Sequence, residues 1–86
     1  MKPIFSGKIL ADKIKVKYSL PDIDRGVNYL LCDLIGLTKG TDLSPSASLI
    51  YSWLAKGGAG ATYLYYLGKI FDCPLEEFFE NEQKVE

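Results

Sequence analysis

Leu64, Leu67, Gly68 and Phe71 stand at i, i+3, i+4 and i+7, the spacing of one buried stripe on an α-helix. Thr62 is the candidate N-cap of that helix, and Asp72 marks its end. Pro74 then suits the first turn of a further helix, with Glu76 and Glu77 at its positive N-terminal dipole. A second run precedes it over residues 45–56. Ser44 is its predicted cap, Pro45 sits where a missing N–H does no harm, and Leu49, Ile50, Trp53 and Leu54 form the stripe. Between the runs lies Gly57-Gly58-Ala59-Gly60-Ala61. It lacks a Gly-Lys-Ser/Thr ending and follows no strand, so it reads as an interhelical connection and not a phosphate loop.

The first half adds one clear helix over residues 20–35. Leu20, Ile23, Val27, Leu30, Leu31 and Leu34 line one face, with Ser19 as cap and Pro21, Asp22 and Asp24 in the first turn. Gly36 is the expected left-handed closure, and Gly26, inside the helix, marks close packing against a neighbour. Residues 1–18 carry two competing patterns. Ile9, Leu10, Ile14 and Tyr18 fit a helix capped by Ser6, whereas Lys13 to Tyr18 alternates as a basic edge strand would.

A chain of 86 residues makes one domain, and 48% apolar composition fills one small core. The expectation is an all-α domain of four to five helices, with a polar tail fraying over residues 80–86. Cys32 and Cys73 both sit in apolar helical patterns and read as free, buried thiols of a cytoplasmic protein. The run Tyr29 to Leu37 is too short to span a bilayer and no signal peptide is visible, so no membrane is expected. There is no histidine, no nucleophile with an evident partner and no distinctive carboxylate pair. Catalytic residues, metal ligands and cofactors are therefore all expected to be absent. Net charge is −1, yet lysines crowd residues 1–17 and carboxylates crowd residues 72–86. That asymmetry offers a positive end to phosphates with the acidic end facing away.

The order of these runs resembles the Cro/repressor-type helix-turn-helix family, the XRE family, chiefly over residues 44–79. In that family a recognition helix runs into a Gly-containing turn, and a Leu-x-x-Leu-Ala-x-x-Leu helix and a Leu-x-x-Leu-Leu segment follow. The matching residues here are Leu64, Leu67, Gly68 in place of the alanine, Phe71, Leu75, Phe78 and Phe79. Ile50 and Trp53 resemble the family's Ile-x-x-Trp/Tyr pair, with Gly57 one residue late. The departures are Leu54 for an acidic residue, no proline in the following loop, and a connection after Gly36 longer than the usual tight turn.

The resemblance implies a lambda-repressor-like fold and a transcriptional regulator that binds double-stranded DNA as a homodimer on a two-fold site. Residues 45–56 would be the recognition helix. Ser44, Ser46, Ser48 and Tyr51 would face the groove, while Lys39, Thr41 and Lys56 would meet backbone phosphates. A second reading keeps the scaffold without DNA contacts: a protein-interaction module such as an antirepressor, an inhibitor or an assembly adaptor. An acidic pI of about 5.4, the long turn and a recognition helix without arginine favour it.

Overall fold

The computed structural model describes residues 3–81. The order is a short strand β1 (Pro3–Phe5), then α1 (Gly7–Tyr18), α2 (Ile23–Leu37), α3 (Ala47–Lys56) and α4 (Ala61–Phe71). A 3-10 turn (Leu75–Phe78) and a second strand β2 (Phe79–Asn81) follow. The fold class is mostly helical, as the apolar spacing predicts.

Residues 7–18 resolve as helix. Ser6 Oγ accepts the Ile9 N–H at 3.2 Å, and Leu10 and Ile14 are fully buried one turn apart. The strand pattern loses because only the helical stripe reaches the core. Val16, which the alternation would have buried beside Ile14, is 79% exposed. The helix ends at Ser19, left-handed at φ 55, so Ser19 closes α1 and does not cap α2. That cap is Asp22, whose carboxylate accepts the Asp24 N–H at 3.0 Å. Pro21 explains the later start, since the residue before a proline is pushed out of helical geometry.

Gly36 does not end α2. The helix runs on to Leu37 and stops at buried Thr38, whose N–H and hydroxyl both donate to the Leu34 carbonyl, at 2.9 and 2.8 Å. Gly40, at φ 85, then turns the chain. Gly26 does mark close packing, because a methyl there would overlap Ile14 Cγ2. Cys32 departs from expectation. It lies off the buried stripe of Val27, Leu30 and Leu34 and is exposed, while Cys73 is half-buried; both are free.

The start of α3 is also later than predicted. Its cap is Ser46, which accepts the Leu49 N–H at 3.2 Å; Ser44 and Pro45 precede the helix. Ile50 and Trp53 are buried, Leu49 and Leu54 half-buried. Gly57 closes the helix at φ 71 with its backbone against the Phe5 carbonyl; a Cβ there would lie 2.8 Å from that oxygen. In α4 the cap position is Gly60, and Thr62 lies inside the first turn. The Tyr63 ring sits 5.2 Å from that of Trp53 and joins the start of α4 to α3. Asp72 ends α4, as expected, and does so in the left-handed region.

The ends of the fold meet in an antiparallel ribbon that the helical patterns do not announce. Phe5 pairs with Phe79 and Ile4 with Glu80, and the Ser6 N–H extends the ladder to the Phe78 carbonyl at 2.8 Å. Aromatic packing drives it. Phe5 is buried, stacked 6.2 Å from Phe78 and edge-on 5.7 Å from Phe79. Glu80 and Asn81, expected to fray, therefore belong to β2; residues 82–86 lie outside the described residues.

Candidate nucleic-acid interface

Burial of Ile50 and Trp53 forces the other side of α3 outward. Ser48 and Tyr51, at i and i+3, share an exposed stripe that Ala55 continues. Ser46 is exposed at the cap, and Ser44 is exposed two residues earlier. Because Ser46 Oγ spends a lone pair on the Leu49 N–H, its hydroxyl proton remains available to donate. The four predicted groove-facing residues thus lie on or just before the first half of one helix.

The predicted phosphate contacts are more scattered. Lys39 is exposed in the segment between α2 and α3. Thr41 is exposed too, but its hydroxyl donates to the Thr38 carbonyl at 2.7 Å and accepts the Leu43 N–H at 3.1 Å. Its chemistry is spent on shaping the loop. Lys56 is exposed in the last turn of α3, roughly 14 Å along the axis from the first helical residue at 1.5 Å per residue.

Tyr51 holds the feature that sequence reasoning missed. Its hydroxyl donates to Asp24 Oδ1, in the first turn of α2, at 2.5 Å. This bond, with burial and the nearby carboxylates behind it, pushes the tyrosine pKa up. The donor expected for DNA is thus already engaged, and a carboxylate stands on the outer face of the two helices. Asp24 is explained locally as a helix-dipole residue. Its contact is 27 residues away in sequence, beyond any periodicity.

The charge asymmetry also resolves differently from expectation. Lys13 Nζ donates to Glu77 Oε1 at 3.0 Å, which raises the lysine pKa. With the β1–β2 ribbon, this contact holds the basic start against the acidic end. Among the described residues the two blocks meet at this ion pair, and Phe5 and Phe78 beside it share one aromatic cluster.

Apolar surface gathers elsewhere. Val16 shares a hollow with Ile70 and Phe71, lined also by Lys17 and Asp72. Leu37, 43% exposed, lines the adjoining hollow that Ile70 and Lys17 also border. Tyr65 and Leu75 border a third at the far end of α4. The α4 tyrosines divide: Tyr63 and Tyr66 are half-buried and Tyr65 is exposed. No helix among the described residues is long and apolar enough to cross a membrane. Comparison with protein-family models, curated proteins and solved structures gives no match.

Proposed function

We propose that the chain is a DNA-binding transcriptional regulator of the Cro/repressor helix-turn-helix type, with α3 as the helix that enters the major groove. The observation that carries this reading is the exposure of Ser44, Ser46, Ser48 and Tyr51 together, over a helix whose opposite face is buried. Small hydroxyl side chains let a helix approach base edges closely, and its N-terminal N–H groups favour a phosphate. Lys39 before the helix and Lys56 at its end supply the backbone contacts.

That cation count sets an expectation. Two phosphate contacts per protomer give a salt slope of about −1.8, since each contact contributes roughly −0.9. A dimer doubles it. Fluorescence anisotropy on random duplex DNA, titrated with salt, measures the slope directly. Lys56→Ala should reduce it by about one per protomer and weaken binding to all sequences alike. Absence of binding at low salt by folded protein refutes the reading.

The second reading is a protein-interaction module on the same scaffold. The hollows that Val16, Leu37 and Ile70 line among Lys17, Asp33, Lys69 and Asp72 favour it, as does the carboxylate of Asp24 beside the α3 face. It becomes the better reading if the anisotropy experiment is negative.

A further inference from the structure

We infer that Tyr51 and Asp24 act as one base-reading unit, which selects bases presenting an exocyclic amino group in the major groove, cytosine first and adenine second. The inference rests on the DNA-binding reading and deepens it. It starts from the direction of a single hydrogen bond. A tyrosine hydroxyl has one proton, and here that proton goes to Asp24 Oδ1 at 2.5 Å. What remains outward is acceptor capacity alone: the lone pairs of the phenolic oxygen, those of Asp24 Oδ2, and the rest of Oδ1.

Both side chains are exposed, and Tyr51 lies one turn along from Ser48 on the outward stripe of α3. The neighbouring Asp22 is already committed, since its Oδ1 accepts the Asp24 N–H at 3.0 Å. That bond fixes the backbone from which Asp24 projects. A free tyrosine hydroxyl would be ambivalent, able to donate to guanine or thymine oxygens or to accept from an amino group. Pairing with a carboxylate removes the ambivalence.

The base edges then sort themselves. In the major groove cytosine offers its N4 amino group and adenine its N6 amino group, whereas guanine offers N7 and O6 and thymine offers O4. An acceptor-only pair meets the first two with hydrogen bonds. Against the last two it sets oxygen against oxygen with a negative charge behind it. Cytosine leads because adenine carries the N7 acceptor beside its amino group, and carboxylates accept well from cytosine N4. The unit also bears on affinity. Its charge opposes the phosphate backbone, so the protein trades general DNA affinity for discrimination at one position.

The experiment is selection from a randomised duplex pool with sequencing, run for the full chain and for Asp24→Asn and Tyr51→Phe, alongside salt-titrated anisotropy and thermal unfolding. The full chain should enrich C, and secondarily A, at one position per half-site, on the order of tenfold over G or T. Asp24→Asn supplies a donor at the same place and removes a charge. It should erase or reverse that preference, raise binding to random DNA several-fold and leave the other positions of the site unchanged. Tyr51→Phe should flatten the same position. If the full chain selects a site and Asp24→Asn leaves every position as it was, the reading unit is refuted while DNA binding stands. A lowered melting temperature with unchanged base preference likewise refutes it, since the pair then only ties α2 to α3. If the full chain binds no duplex at low salt, the DNA-binding reading fails and the unit with it.

Discussion

Replacing each of two glycines on α2 by alanine should have opposite consequences. Gly36 is exposed, stays helical and has nothing near the place where a Cβ would stand. Alanine there gains about 0.5–1 kcal/mol of helix propensity and unfolded-state entropy with nothing set against it. Gly26 gains as much in propensity, but its Cβ would fall closer than 3.0 Å to Ile14 Cγ2. Ile14 is fully buried within the core, so it must shift against packed neighbours to make room. Overpacking of this kind costs about 1–3 kcal/mol, so Gly26→Ala should come out between neutral and about 2.5 kcal/mol destabilising. In a domain of this size, 1 kcal/mol moves the melting temperature by roughly 4–8 °C. Urea titration followed by the fluorescence of Trp53, the single tryptophan, would place Gly36→Ala above the parent and Gly26→Ala at or below it. The decisive comparison uses Ile14→Ala as background. That change alone should cost about 2–5 kcal/mol, and it empties the space the new methyl needs. Gly26→Ala should then stabilise. If Gly26→Ala stabilises as much in the parent as in the Ile14→Ala background, the close approach of α1 to α2 is not what holds a glycine at position 26.

Three further outcomes follow from the structure. Tyr18, whose pKa is raised by burial and by its 2.5 Å bond to Asp33, and Tyr51, raised chiefly by its bond to Asp24, should both ionise above the ordinary 10.0 in an ultraviolet titration. Because the folded state holds these protons more tightly, their stabilisation is complete below pH 10 and is lost as pH rises through the folded values; an unchanged alkaline stability against a Tyr18→Phe/Tyr51→Phe variant would contradict this. Of the two free thiols, exposed Cys32 should react with a disulfide reagent well before Cys73, whose thiol burial pushes up; equal rates in folded protein would count against the assigned burial. Gly57→Ala should destabilise by more than 1 kcal/mol in chemical denaturation, since it meets both a left-handed backbone and the Phe5 carbonyl.

The helices were legible in the sequence because each carries a stripe of large apolar residues at helical spacing. Val27, Leu30 and Leu34, Ile50 and Trp53, and Leu67 all went where the period put them. Helix starts were less legible. Ser19, Ser44 and Thr62 are all good capping residues, yet none of them caps its helix in the structure. Local proline geometry sets the starts at Asp22 and Ser46, and α4 starts at Gly60 without a side-chain cap. The ribbon was hidden because each strand has three residues, too few to show a period. Its determinant is an aromatic cluster assembled from the two ends. Within the proposed interface, the exposed face of α3 was readable from its buried stripe, whereas Asp24 was not. A surface hydrogen bond between two helices leaves no trace in either helix's own pattern.

The ribbon bears on how long the folded state lasts. Pairing Ile4 with Glu80 closes a loop of nearly the whole chain, and the entropy of that closure is recovered only once the intervening helices have shortened the path. The ribbon is therefore expected to form after the transition state. Interactions made that late leave the folding rate almost untouched and act on unfolding alone. The three aromatic rings at the join of the two ends thus act as a clasp. On this order of events they slow the release of the fold more than they speed its formation.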